Sequence, residues 1–206
     1  MLVIGNGESR RNINIDLSNE IKIGCNGILR DYRVRHLICV DRKMVNEALS
    51  VDYNKDSFIY TRKDWFATYA EYKNLRMVPA LPYAGMERAD DPFNWGSGPY
   101  AVLQGAMLAR KHKTDKTIKM IGFDLYGTKE NLINNVYKDT ENYELSIRKP
   151  IDPKYWIYQI SKVFEEFTDL QFVIYTEDNW TIPKSWKKRH VQFDNIDNFV
   201  YNTSKV

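Results

Sequence analysis

Eight of the ten glycines form four close pairs. Each pair lies near the end of a predicted strand or the start of a predicted helix. The pairs are Gly5 and Gly7, Gly24 and Gly27, Gly96 and Gly98, and Gly122 and Gly127. Glycine is needed where the backbone takes a positive φ or where a ligand approaches it closely. Backbone N–H groups at a helix start attract anions. A tight turn would explain any one pair, but the four together predict a phosphate or nucleotide site.

Polar side chains accompany these glycines. Asn6 and Ser9 lie in the first glycine loop, Asn26 in the second, and Ser97 in the third, while Asp41 ends a further predicted strand. An asparagine side chain both donates and accepts hydrogen bonds, so it suits a base edge or a ribose hydroxyl. The expected nucleotide-binding residues are Gly5, Asn6, Gly7, Ser9, Asn26, Asp41, Gly96, Ser97 and Gly98.

The first glycine loop excludes two familiar nucleotide sites. Arg10 stands where the dinucleotide fingerprint needs its third glycine, and no Gly-Lys-Ser/Thr follows, as a Walker loop requires. An NAD-type dehydrogenase and a P-loop ATPase are therefore disfavoured.

These loops must be positioned by alternating strands and helices. Apolar runs predict strands at Leu2–Gly5, Ile21–Cys25, Leu37–Asp41, Ser57–Thr61, Leu75–Val78, Ile118–Phe123 and Phe172–Tyr175. Helical periodicity predicts Arg42–Ser50, Arg62–Lys73, Ser97–Lys113 and Pro153–Phe167. Nearly continuous apolar strands are typical of a parallel sheet covered on both faces. We expect one Rossmann-like, doubly wound α/β domain over residues 1–206, with a mostly parallel sheet and helices on both faces.

Three stretches do not follow this alternation. Pro79–Asn94 is interpreted as a long loop before the Ser97 helix, and residues 127–150 as a lid, because long loops in a compact domain are often functional. Residues 180–206 form a basic C-terminal extension, which is interpreted as a solvated face or, alternatively, as a contact with an anionic membrane or glycolipid surface. Its basic cluster consists of Lys184, Lys187, Lys188, Arg189 and His190.

Composition excludes several classes of protein. The chain has 206 residues, with 30 Lys and Arg against 27 Asp and Glu, so its net charge is +3. That small charge argues against a nucleic-acid partner.

Cys25 and Cys39 lie in apolar strands and are expected to be buried thiols, not a disulfide framework or a zinc site. No signal sequence is evident, so a cytoplasmic location is expected, and the oligomeric state stays open.

Four segments in order resemble the bacterial lipooligosaccharide sialyltransferase family. Gly5–Ser9 (GNGES) resembles its Gly-Asn-Gly-Pro-Ser loop, and Cys25–Gly27 its Arg-Cys-Asn segment, where the asparagine contacts the nucleotide. Gly96–Tyr100 (GSGPY) resembles its Ser-Gly-Val-Tyr helix start, and Ile121–Tyr126 (IGFDLY) its Gly-Ile-Asp-Phe-Tyr strand end. The resemblance extends to the last predicted strand.

The resemblance implies transfer of a sugar from a CMP-sugar donor to a glycan acceptor, with inversion and without a metal or other cofactor. Two tyrosines of the family donate hydrogen bonds to the departing phosphate; the first matches Tyr126 and the second is assigned to Tyr137. The family's catalytic histidine is missing from Glu144–Asp152. Asp124 or Asp41 would replace it as the base, given a raised pKa.

Two other functions remain open. The layout is also similar to hydroxymethylpterin pyrophosphokinases and their motility-associated glycosyltransferase-like relatives, whose phosphoryl transfer would use magnesium held by Asp41 and Asp124. The third hypothesis is a nucleotide-sugar or glycan-binding protein without turnover, whose 14 Tyr, 9 Phe and 5 Trp would stack on sugars and bases.

Overall fold

The computed structural model of the chain describes residues 1–112 and 116–203, and side chains as far as residue 199. Every predicted site residue lies within this part. Lys113, the predicted end of the long helix, lies outside it, as do residues 204–206 of the basic extension.

Eight parallel strands form a single sheet in the order β5-β4-β3-β2-β1-β6-β7-β8. The strands are β1 (Leu2–Ile4), β2 (Lys22–Cys25), β3 (His36–Ile38), β4 (Phe58–Thr61), β5 (Leu75–Met77), β6 (Thr117–Ile121), β7 (Gln171–Thr176) and β8 (Val191–Asn195). The helices are α1 (Arg42–Ser50), α2 (Lys63–Thr68), α3 (Ser97–His112), α4 (Lys154–Glu166) and α5 (Ile196–Thr203). The predicted Rossmann-like α/β fold is confirmed.

Alternate residues of the central strands face two separate cores. Val3 of β1 belongs to the core under α3 and α4, whereas its neighbours Leu2 and Ile4 belong to the core on the α1 and α5 side. All three are fully buried. Burial on both faces explains why β1 is apolar throughout, and it confirms helices on both faces.

The order of the strands reverses between β1 and β6. After β1 the chain adds strands outward to β5, then returns through α3 to place β6 against the other side of β1. Helix α3 packs across β1, β2, β3 and β6, so its first residues reach the carboxyl edge of the sheet at this reversal. Ligands of open α/β sheets bind at such a switch point.

The C-terminal part of the chain differs from the expectation. Residues 191–203, assigned no element above, form β8 and α5, and Phe199 is 1% exposed. The alternation in β8 is weak, since one of its five residues is buried, and so it lacked the apolar run by which the other strands were predicted. The predicted helix Arg62–Lys73 is shorter, because helical hydrogen bonding ends at Tyr69.

The basic cluster precedes β8, and two of its members pack on α4. Lys188 Nζ lies 3.1 Å from Glu165 Oε1, and His190 Nε2 lies 2.8 Å from the Phe164 carbonyl oxygen. Within the described residues, no helix combines the length and apolar character needed to cross a bilayer.

Candidate functional site

A cleft of about 390 Å³ opens at the carboxyl edge of the sheet, where β1, β2, β3 and β6 end and α3 begins. We call it the first cleft. Its volume lies within the usual range for small-ligand sites, roughly 300–1,000 Å³. Predicted residues that line it are Gly5, Asn6, Gly7, Asn26, Asp41, Gly96, Ser97, Gly98 and Asp124.

Two further clefts adjoin the first. The second cleft, of about 290 Å³, shares Asn26, Asp41 and Trp156 with it and is also lined by Tyr126. The third cleft, of about 650 Å³, shares Asp124 and Asn134 with the first and is lined by Ser9 and Tyr126. Ser9 and Tyr126 therefore lie beside the first cleft, not in it.

The glycines of the first loop allow the loop after β1 to pack closely against the loop after β6. A Cβ on Gly5 would lie 2.2 Å from the Gly122 carbonyl oxygen, and one on Gly7 would lie 2.3 Å from Asp124 Cγ. Gly122 has a φ of +68°. Gly5 and Gly7 thus fit the close approach of two loops, which is a different reason from the ligand approach expected above. A Cβ on Gly98 would meet only Phe123, at an ordinary 3.6 Å.

Ser97 fastens three elements at the floor of the first cleft. Its Oγ accepts a hydrogen bond from the Val40 N–H at 3.1 Å and donates one to Asn26 Oδ1 at 2.8 Å. The Ser97 hydroxyl is therefore already engaged, and its role is to hold Asn26. Asn26 takes a φ of +48°, a region that asparagine tolerates well, and no described residue accepts from its Nδ2.

Asn6 is held in a similar way. Its Nδ2 donates to the Cys25 carbonyl oxygen at 3.0 Å and to the Tyr143 hydroxyl at 3.3 Å. The same hydroxyl accepts from the Gly27 N–H at 2.8 Å. Asn6 lines the first cleft, but its amide NH₂ is occupied by the protein.

Asp124 is the most constrained carboxylate of the site. Its Oδ2 accepts from the Ser9 N–H at 2.9 Å, and its Oδ1 accepts from the Ser9 hydroxyl. Burial raises the pKa of Asp124 above its ordinary value, although the hydrogen bonds from Ser9 act in the opposite direction. A raised pKa is what the sequence analysis required of a carboxylate base.

Asp41 has a different environment. It is exposed, lies just past β3, and lines both the first and the second cleft. No hydrogen bond or ion pair engages its carboxylate within the part of the chain that the structure describes. It is therefore free to accept hydrogen bonds from ribose hydroxyls.

The two predicted catalytic tyrosines lie in different environments. Tyr126 is half-buried, burial raises its pKa so that the hydroxyl stays protonated, and none of the described residues hydrogen-bonds to that hydroxyl. Tyr137 is 5% exposed and lines none of the three clefts; its hydroxyl donates to Asp31 Oδ2 at 2.6 Å and accepts from Arg10 Nη2 at 2.7 Å. Tyr137 thus lies outside the three clefts, and its role in catalysis stays a prediction.

The backbone is strained next to Tyr126. Leu125 has a φ of +65°, and every other described non-glycine residue with positive φ is Asn or Asp. A leucine in this region costs energy, about 1–3 kcal/mol, and such strain collects at functional sites. Leu125 lines the first and second clefts, so the strained turn lies at the edge of both.

Arg62 and Trp95 line the first cleft and were not expected there. Arg62 directly follows β4, and Asp41 lies three residues past the end of β3. It is the one Lys or Arg among the described residues that line the first cleft, and its Nε lies 3.5 Å from Asp64 Oδ1.

Trp95 is 1% exposed, and its Nε1 has no hydrogen-bond partner among the described residues. A buried unpaired donor is costly, and a bound acceptor would offset that cost.

The segment 127–150 lies over the second cleft and is tied to the body of the domain. The Val136 N–H donates to the Asn6 carbonyl oxygen at 2.9 Å, and Asn134 Oδ1 accepts from the Glu8 N–H at 2.9 Å. Lys43 Nζ donates to the Asn142 carbonyl oxygen at 2.6 Å. Its position suits a lid, while its opening stays a prediction.

The histidines lie away from the clefts. His36 begins β3 at the amino edge of the sheet, where burial, with charges at Arg35 and His112, lowers its pKa to about 4. His112 ends α3. Across residues 1–112 and 116–203, no three His, Cys, Asp or Glu side chains are grouped as metal ligands. Cys25 and Cys39 are buried free thiols, as expected.

No protein-family model, curated protein or solved structure matches this chain. The site must therefore be interpreted from its own geometry.

Proposed function

We propose that the chain binds the nucleotide of an activated sugar, preferably a CMP-sugar, in the first cleft and transfers the sugar to a glycan hydroxyl. One observation carries the proposal: Asn26, Asp41 and the start of α3 meet in one cleft at the point where the strand order reverses. This is where open α/β sheets bind nucleotides.

The first cleft offers complementary partners for each part of a nucleotide. The Asn26 Nδ2 and the buried Trp95 Nε1 are unused donors for a base or sugar oxygen. The Asp41 carboxylate accepts from ribose hydroxyls. The first turn of α3, with Arg62 nearby, attracts the phosphate.

The proposed transfer breaks one carbon–oxygen bond and forms another. The acceptor hydroxyl oxygen attacks the anomeric carbon from the face opposite the phosphate, and the bond from that carbon to the phosphate oxygen breaks. The acceptor proton passes to the Asp124 carboxylate. The electron pair leaves with the phosphate, whose charge is stabilised by the Tyr126 hydroxyl and the α3 N-terminus. Water in place of the acceptor gives slow hydrolysis of the donor.

A nucleotide-release assay tests this function. Purified protein is incubated with CMP-, UDP- and GDP-sugars, each with EDTA and with magnesium, and free nucleotide is measured. We expect release from a CMP-sugar in EDTA, at a rate lowered in Tyr126→Phe. Activity that appears only with ATP and magnesium would favour pyrophosphoryl transfer. Nucleotide binding without release would indicate a binding protein.

A further inference from the structure

The third cleft lies outside the first cleft, in which we place the nucleotide, yet the two share a wall. Asp124 and Asn134 line both clefts, and Tyr126 lies between the third cleft and the second. A ligand in the third cleft would therefore contact the carboxylate that we propose as the base. The third cleft is also the largest of the three by volume, at about 650 Å³.

An aromatic platform forms part of this cleft. Tyr126 and Trp180 both line it, with ring centroids 6.0 Å apart at an angle of 51°. Trp180 is fixed on its other sides, because its Nε1 donates to the Asp124 carbonyl oxygen at 2.6 Å and its ring lies 5.9 Å from that of Trp186 and 6.0 Å from that of Phe193. A rigid, half-exposed pair of rings offers apolar contact area with little entropic cost, which suits the C–H face of a sugar ring.

The charges in the cleft define the kind of sugar. Glu177 and Asp178 are exposed in the turn after β7, and with Asp124 they make three carboxylates against one cation, Lys129. Asp178 Oδ1 accepts from Asn195 Nδ2 at 2.6 Å, while Glu177 has no hydrogen-bond partner among the described side chains. Carboxylates accept hydrogen bonds from sugar hydroxyls but repel an acidic sugar.

We propose that the third cleft binds the uncharged sugar end of a glycan acceptor, with Tyr126 and Trp180 as its platform and Glu177 as a hydroxyl acceptor. The proposal rests on the proposed function and names the class of its acceptor. It also gives Tyr126 a position between two ligands, because this residue lines the third cleft and the second cleft, which adjoins the nucleotide site.

Titration of ¹⁵N-labelled protein with glycans tests this site directly. The neutral probes are maltotriose and chitotriose, and the acidic probe is trigalacturonate. The indole N–H signal of Trp180 is assigned by its loss in Trp180→Phe. We expect this signal to shift saturably with a neutral probe and to stay unchanged with trigalacturonate. Absence of a shift with both neutral probes, or an equal shift with the acidic one, would overturn the proposal.

A charge variant sharpens the test. Glu177→Gln should weaken binding of the neutral probe by about three- to tenfold, because the glutamine amide still accepts a hydrogen bond but no longer carries the charge that strengthens it. Glu71→Gln removes the same charge from an exposed position that lines none of the three clefts, and it should leave the affinity unchanged. Equal affinities of the two variants would contradict the role of Glu177.

CMP is titrated into the same samples. Binding of CMP with no glycan binding would refute the acceptor site and leave the proposed function standing. Absence of both CMP binding and glycan binding would refute the acceptor site and the proposed function together.

Discussion

The half-buried carboxylate of Asp124 is the chemical centre of the proposed site. Asp124 accepts two hydrogen bonds from Ser9, and a carboxylate has about four lone-pair positions, so a substrate proton still finds an acceptor. Its burial sets its basicity, since the charged form is disfavoured and the pKa rises. The carboxylate thus becomes a better proton acceptor near neutral pH than an exposed one.

Asp124→Asn tests that role in catalysis. The amide preserves shape and can still accept from the Ser9 N–H, but it takes no proton. We expect nucleotide release to fall by about 10²–10⁴-fold, the usual contribution of a general base. In wild type the rate should rise with pH through the raised pKa and then level off. A variant that keeps both the rate and this pH dependence would exclude Asp124 as the base.

The same pKa shift affects stability. Because the folded pKa lies above the ordinary value of 3.8, the contribution of Asp124 to stability is full below that value and is lost as the pH rises through the folded pKa. Over the pH range that begins near the ordinary pKa and extends through the folded pKa, we expect the free energy of unfolding of Asp124→Asn to increase relative to that of wild type. Denaturant melts across this range measure it. A constant difference would show that the pKa is not shifted.

Tyr126 and Tyr137 form a matched pair for mutation. Tyr126→Phe removes a hydroxyl that no described residue binds, so we expect unchanged stability and about tenfold or greater loss of turnover. Tyr137→Phe removes the partner of Arg10 and Asp31, so we expect about 1–3 kcal/mol loss of stability with turnover retained. Turnover and thermal melts of both proteins check this. The reverse pattern would restore Tyr137 to the active site.

At the scale of elements, the start of α3 decides whether a phosphate fits. Gly96 is packed, since a Cβ there would lie 3.0 Å from Trp156 Nε1. Gly98 is open on the protein side. Position 98 therefore leaves room for the close approach of a ligand, which we propose is the phosphate.

Gly98→Ala therefore separates binding from folding. Alanine favours the helix by about 0.5–1 kcal/mol over glycine, so the variant should be at least as stable as wild type. Its methyl group lies where we place the phosphate, and we expect the affinity for CMP to fall about tenfold or more, or about 1.4 kcal/mol. Calorimetry with Ser50→Ala, an exposed helix residue outside the clefts, is the control. Unchanged affinity in Gly98→Ala would move the phosphate elsewhere.

Elements with continuous apolar runs could be predicted from the sequence, and elements that depend on tertiary contacts could not. Most of the strands β1–β7 and helix α3 are largely apolar, but β8 is an edge strand whose polar residues left no clear period. Asn26 could be predicted as a site residue because it directly follows a predicted strand, and Asp41 because it ends one. Trp95 and Asn134 reach the clefts through long segments whose paths are set by packing, which no local pattern encodes.

At the scale of the whole molecule, one feature of topology assembles the site. The return of the chain through α3 places β6 beside β1, and this brings together loops that are more than a hundred residues apart in sequence, as in the hydrogen bond from the Ser9 N–H to Asp124. The glycine pairs indicated a common edge, but the strand order was not readable from them. Gly5 and Gly122 illustrate the reason: both glycines are needed for close contact between the two loops, and this contact exists only once β6 lies beside β1.

The claim that this switch point binds a nucleotide is tested most directly by calorimetric titration of CMP into wild type and Asn26→Gly, with UMP, AMP and GMP for comparison. Glycine keeps the positive φ of position 26 and removes only the side chain. We expect one saturable site in wild type, tightest for CMP, and about three- to tenfold weaker binding in Asn26→Gly. Equal affinity of the two proteins for every nucleotide, or no binding by either, would contradict the claim.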